Sequence, residues 1–343
     1  MPTADEPAFM AAILDTPDDD TPRLVFADWL DERGGDDDRA RAALIRAQCR
    51  AEVLPEGSAA RKKLEREANA LIRAHGKRWA APLTALRLGV DHYEFRRGFL
   101  DSVRMSATTF ANSAKKLFDA VPTIRAAHFE HAANELNRLT KCKYLSRLAS
   151  VDVSEMCWCG SCPIHRDLDA LFKCEKLDSL TRLNVSDDRM DATGARKLAG
   201  CKGLAKLTAL DVSHNPLGET GVTAMLKSKH LGNVTELNVT ACELGDAGAM
   251  ALASAKGIPA LRKLVMMAND VTPVGLAALI ASPLFARLAH LDLSHNPLTR
   301  EGAKALAAAP PCALELLDVR DCGIPAATHK VLVKRFGKKV KVS

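Results

Sequence analysis

Aromatic residues are scarce in this chain: 15 of 343, with only three tryptophans and two tyrosines. Nothing interleaves them with basic residues, so the stacking platforms that hold single-stranded nucleic acid are absent. No apolar run approaches the roughly 18 residues of a membrane span. The opening MPTADEPAFM is acidic and lacks the basic start and long apolar core of a secretion signal, which leads us to expect a cytoplasmic protein. No P-loop, G-x-S-x-G, H-E-x-x-H or dinucleotide fingerprint occurs, and the expectation is a protein that is not an enzyme.

What charge there is lies unevenly. The net value of +6 conceals 12 acids against two arginines in residues 1–38, and 15 basic against seven acidic side chains in residues 39–104. The last 14 residues, KVLVKRFGKKVKVS, carry six lysines and arginines and no acid. Such a tail suits an anionic surface. Without aromatic partners it reads better as a solvated face than as a nucleic-acid site.

What is abundant is repetition. Six segments align: LTRLNVSDDRM from Leu180, LTALDVSHNPL from Leu207, VTELNVTACEL from Val234, LRKLVMMANDV from Leu261, LAHLDLSHNPL from Leu288 and LELLDVRDCGI from Leu314. Five starts are 27 residues apart and the last step is 26. Each reads L-x-x-L-x-L-x-x-(N/C)-x-L, followed by a stretch with apolar residues at helical spacing. In a short strand alternate side chains face opposite ways, so Leu210 and Val212 point inward while Ala209, Asp211 and Ser213 point outward. The next column, Asp188, Asn215, Cys242, Asn269, Asn296 and Cys322, starts the turn, where an asparagine can satisfy backbone carbonyls. Stacking such units makes one continuous core, each buried Leu or Val contributing roughly 1.5–3 kcal/mol. Leu148, Val151 and Val153 begin one earlier repeat, and Ile124, Ala127 and Phe129 a degenerate one.

This pattern resembles the ribonuclease-inhibitor-like leucine-rich repeats. The resemblance implies an α/β fold: a right-handed solenoid with concave parallel strands, convex helices and a protein-binding role. Before the repeats, TPRLVFADWLDERGG offers Thr21 as N-cap, Pro22 in the first turn and Gly34-Gly35 as a stop. Helical periodicity also covers Arg39–Val53 and Ala59–Ala74, so three or four helices are expected in an all-α cap docked on the first repeats. FMAAILDTPDDDTPRLVFADWLDERGG resembles the repeat-companion domain of some bacterial proteins, and YEFRRGFL, residues 93–100, the junction that follows it. The expected domains are 1–82, the helical companion; 83–120, a junction and first capping unit; and 121–343, the solenoid. The acids Asp18-Asp19-Asp20, Asp28, Asp31 and Glu32 lack the full ligand pattern of a calcium loop and read as solvated capping residues.

The outward strand positions form the candidate partner-binding face: Arg182, Asn184, Asp211, Asn238, Lys263, Val265, Met267, His290, Asp292 and Asp318. Its central column is mostly Asp and Asn, which favours a basic or hydrogen-bonding partner, and Lys263-Val265-Met267 is an amphipathic break in it. Eight strands at about 4.8 Å make a face roughly 40 Å long, too open for a small molecule and suited to an unidentified partner protein bound by a monomer. His214 and His295 lie three repeats apart and cannot share a metal.

One segment stands outside this scheme. MCWCGSCPIH carries Cys157, Cys159, Cys162 and His165 within nine residues. Register places Met156 at the turn and Trp158 at the apolar anchor, so the rest is a five-residue insertion in one repeat. Three readings stay open: free thiols in an exposed loop, a zinc site made by these four ligands, or thiol–redox chemistry at the C-x-x-C. The latter two define an alternative function centred on the loop. Metal analysis of the purified protein separates them: about one zinc per chain supports the metal site, and less than roughly a tenth removes it.

Overall fold

The computed structural model describes residues 5–130, 132, 135–154 and 168–342. The chain divides into two compact units, Met1–His128 and Phe129–Ser343. No described helix is long and apolar enough to cross a membrane.

The N-terminal unit begins with five helices rather than three or four: α1 (Glu6–Asp15), α2 (Thr21–Arg33), α3 (Asp36–Glu52), α4 (Ala59–Trp79) and the short α5 (Ala81–Thr84). Thr21 already lies inside α2; Asp20 holds the cap position, and the Thr21 amide donates to Asp19 Oδ1 at 2.8 Å. The stop is as read, Gly34 taking the left-handed conformation (φ 77°) that closes a helix at low steric cost. Three acids in the first turn of α3 complement its dipole. Few as the apolar residues are, they suffice for a core. Ile13, Phe26, Ala27, Leu30, Ala42, Ile45, Cys49 and Phe99 are buried together, with Phe9, Met10 and Trp29 packed against them.

The expected junction is a β-hairpin. Strands β1 (His92–Arg96) and β2 (Phe99–Ser106) pair antiparallel, leading to α6 (Ala107–Ala120). Arg97 (φ 50°) and Gly98 (φ 84°) turn the chain, and two positive φ values in a two-residue loop match the twist of the strands. Gly98 is required on a second count. A Cβ there would stand 2.1 Å from Ile45 Cγ1 and 2.9 Å from Ile45 Cα. Gln48 of α3 clamps the turn, donating to the Phe95 carbonyl (2.8 Å) and accepting from the Gly98 amide (2.7 Å).

Strand β3 (Ala126–Glu130) spans the division between the units. The second unit is the repeat array: β4 (Ser150–Asp152), β5 (Arg182–Asn184), β6 (Ala209–Asp211), β7 (Glu236–Asn238), β8 (Lys263–Val265), β9 (His290–Asp292) and β10 (Leu316–Asp318). Neighbours from β4 to β10 are parallel and in register, Leu183, Leu210, Leu237, Leu264, Leu291 and Leu317 lying side by side. Helices α7 (Leu136–Leu139), α8 (Asp169–Phe172), α9 (Ala192–Gly200), α10 (Gly218–Leu226), α11 (Gly245–Ala253), α12 (Pro273–Ile280), α13 (Pro283–Arg287) and α14 (Thr299–Ala307) return the chain from one parallel strand to the next. The basic end of the chain is part of the fold. It forms α15 (Ala326–Phe336) and β11 (Val340–Lys341), which pairs with β10 and covers what would be an open edge.

The turn column ties repeat to repeat. Asn215 is fully buried; its Nδ2 donates to the carbonyls of Val185 (2.9 Å), Val212 (2.9 Å) and Ser213 (3.2 Å). Its Oδ1 accepts from the amides of Asp188 (3.2 Å) and Met190 (2.7 Å) of the preceding repeat. Asn269 and Asn296 do the same two and three repeats on. Where the residue is cysteine, the thiol reaches only carbonyls: Cys242 those of Val212 (3.3 Å) and Thr240 (3.4 Å), and Cys322 those of Leu293 (3.1 Å) and Arg320 (3.4 Å). Burial pushes these thiols up, Cys242 to about 12 and Cys322 to about 11, so both stay protonated donors. Asn215→Ala strands buried carbonyls and amides of two repeats, and should cost about 2–4 kcal/mol, read as a lowered urea midpoint. A loss below about 0.5 kcal/mol would contradict this role.

Candidate functional site: the strand-lined face

Each strand of the array presents its first and last residues outward, the last forming the central column of the face, and the next outward position lies two residues beyond the strand. The central column is Asp152, Asn184, Asp211, Asn238, Val265, Asp292 and Asp318. In every member but Val265 a side-chain oxygen accepts the backbone N–H two residues on: Ser154, Ser186, Ser213, Thr240, Ser294 and Arg320. Four of those residues return a hydroxyl to the same oxygen at 2.6–2.7 Å. The carboxylates and amides also pair across strands, Asn184 donating to Asp152 (3.1 Å) and Asn238 to Asp211 (2.8 Å).

This network revises two sequence readings. Ser213, read from the alternation as pointing outward, is buried, as are its equivalents Thr240 and Ser294, because their hydroxyls fold back onto the central column. Asp318 is 2 % exposed and is withdrawn from the accessible set. Arg320 lies over it with three side-chain hydrogen bonds of 2.7–3.1 Å, and Lys341 of β11 stands at 3.7 Å. Burial raises the Asp318 carboxyl. The Arg320 hydrogen bonds and the two cations outweigh that and hold it below the usual range. A signal for the network was in the sequence: D-V-S, N-V-S, D-V-S, N-V-T, D-L-S and D-V-R recur at the strand ends, and only V-M-M, residues 265–267, breaks the series.

The remaining face residues stay at least partly open. Arg182 is exposed; Asn184, Asp211, Asn238, Lys263, Val265, Met267, His290 and Asp292 are half-buried. Glu236 pairs with Arg182 (3.5 Å), reaching across Ala209 of the intervening strand, and with Lys263 (3.7 Å). The short Ala209 side chain lies in the floor of a shallow depression of about 300 Å3, walled by residues of β4 to β8. Val265 sits in register between Asn238 and Asp292, offering neither of them a hydrogen bond. His214 and His295 are exposed, each in the left-handed conformation (φ 56°) that throws its side chain outward. His290 stands 3.8 Å from Glu315, and His295 3.4 Å from Asp321.

Other sequence candidates disperse. Asp28 and Asp31 both pair with Arg46 at 2.6 Å, tying α2 to α3. Asp18, Asp19 and Asp20 diverge to Arg125, the Thr21 amide and Arg97. No group of His, Cys, Asp and Glu able to hold a metal occurs among the described residues. Met156, Cys157, Trp158, Cys159, Cys162 and His165 lie outside the described residues.

The family comparison agrees with the repeat geometry. Residues 203–226, 230–253 and 288–307 match the leucine-rich-repeat family model. The chain therefore carries leucine-rich repeats, within an α/β array of parallel strands and returning helices that follows an N-terminal helical region. No curated protein matches the sequence. Among solved structures, the chain is similar in fold to the yeast Rad7–Elc1 complex structure, at 12 % identity and TM-score 0.50, over 99 % of this chain and 92 % of that one. It also matches a Bacteroides fragilis protein (16 % identity, TM-score 0.48, covering 80 % and 84 %) and an internalin from Listeria monocytogenes (14 %, 0.37, 66 % and 56 %).

Proposed function

We propose that the protein is an interaction scaffold whose strand-lined face binds a partner protein rather than transforming a substrate. The observation that carries this is the break at β8. Along the central column the other polar groups are engaged with neighbouring backbone or side chains, whereas Val265 and Met267 leave apolar surface open beside Lys263 and Asp292. Half-buried apolar side chains ringed by charge have the make-up of a binding hot spot. The long shallow face suits an extended contact with another protein. The solved structure with a similar fold is that of a complex between two yeast proteins, Rad7 and Elc1. The partner segment that fits here sets an apolar side chain against Val265 and Met267 and a basic one against Asp292.

The test uses the affinity-tagged full chain as bait. Asp211 is unsuitable for it, since Asp211→Lys would also break the bonds to Ser213 and Asn238. Val265→Asp and Met267→Asp should each lower capture of the partner by about tenfold or more, the scale of losing a hot-spot contact, with the urea midpoint unchanged. Met250→Asp, on the exposed side of α11, should leave capture intact. The proposal fails if the two face variants capture the partner normally while the helix-side variant does not.

A further inference from the structure

A second, unrelated site lies wholly inside the N-terminal unit. A cavity of about 500 Å3 opens among α1, α2, α3, α4 and residues 120–123, a volume suited to a small molecule. Phe26, Trp79 and Phe99 give it aromatic walls, and its charged groups are Glu6, Arg33, Asp37, Asp38, Arg41 and Arg78. Five of these six have partners. Arg33 lies between Glu6 (3.7 Å) and Asp38 (3.2 Å). Arg78 pairs with Asp37 at 3.2 Å, and Asp37 also meets His75 (3.2 Å) and accepts from Trp79 Nε1 (3.3 Å).

Arg41 is the exception. Its guanidinium is packed among three rings, 4.9 Å from the centre of Trp79, 5.2 Å from Phe99 and 5.5 Å from Phe95. It makes no hydrogen bond and no ion pair among the described residues. Burial lowers its pKa to about 10, against the pull of Asp37 and Glu6, so it remains a cation at neutral pH. Ring faces satisfy a guanidinium's charge in part, yet they offer nothing to its N–H edge. Arg41 is half-buried and lines the cavity, so a ligand there can supply the acceptors that no described residue does. The planar fork matches a carboxylate, which accepts two of its N–H groups side by side.

We infer that this cavity binds a small monocarboxylate with an apolar body about the size of one ring, its carboxylate on the Arg41 fork and its body against Phe26, Trp79 and Phe99. A multiply charged anion fits less well, since Glu6, Asp37 and Asp38 share the cavity and the walls are apolar.

Phenylacetate is the probe, and phenylacetamide its neutral counterpart of nearly the same shape. With the full-length protein at constant ionic strength, phenylacetate should raise the thermal midpoint saturably, by roughly several degrees at high millimolar concentration. Phenylacetamide and inorganic phosphate should move it by less than about one degree. Arg41→Lys, which keeps the charge and loses the fork, should abolish the shift. An equal response to the amide, an equal response to phosphate, or no saturable response to phenylacetate would each overturn the inference. A full response in Arg41→Lys would do so as well. Should Arg41→Lys not fold, discrimination between acid and amide by the unaltered protein decides the matter.

Discussion

The repeat array depends on one buried rung, the side chain at the turn column that bonds two repeats at once. Strands of three residues make too few backbone bonds to fix their own spacing, and the turn after each leaves amides and carbonyls facing an apolar interior. Asn215, Asn269 and Asn296 satisfy both kinds of group. Cys242 and Cys322 satisfy only the carbonyl, with a weaker donor that burial keeps protonated. The backbone conforms to this rung. Asp187, His214, Ala241, Ala268, His295 and Asp321, each just before it, are all left-handed. That conformation costs a non-glycine residue roughly 1–2 kcal/mol, so its recurrence marks a position dictated by the ladder and not by local preference.

The same constraint shapes the face. With every turn held in one conformation, the central outward residue sits where its oxygen meets the amide two residues on, and Asp or Asn followed by Ser or Thr becomes the natural spelling. A column that looks like a row of free carboxylates is therefore largely a second hydrogen-bonding ladder. What distinguishes one strand from another is departure from that spelling. At β8 the departure leaves Val265 and Met267 open; at β10, Arg320 instead of serine closes over Asp318.

Much of this was legible in the sequence. The 27-residue period gave the register of the strands, the inward leucines and the buried turn column directly, because each follows from spacing alone. The helix stop at Gly34 was legible for the same local reason. The hairpin at Arg97-Gly98 has only a two-residue signal in the sequence. Its fixed geometry comes from Ile45 and Gln48, some 50 residues earlier. The burial of Asp318 depends on Lys341 and Arg320 together, and β11 is a two-residue strand whose sequence reads only as basic. Long-range contacts of this kind leave no period to find. The aromatic surround of Arg41 is another: its rings come from α4 and both strands of the hairpin.

Native-state hydrogen exchange tests the ladder most directly. The amides of Met190, Leu244 and Val271 lie in turns between strand and helix, where exchange is ordinarily fast, yet each donates to the asparagine of the next repeat. The account predicts that these three exchange as slowly as the strand amides of Leu210 and Leu237, opening only with the unfolding of the array. If they exchange at the rate of solvent-exposed turns while the strands stay protected, the side-chain rung is not what holds the repeats together.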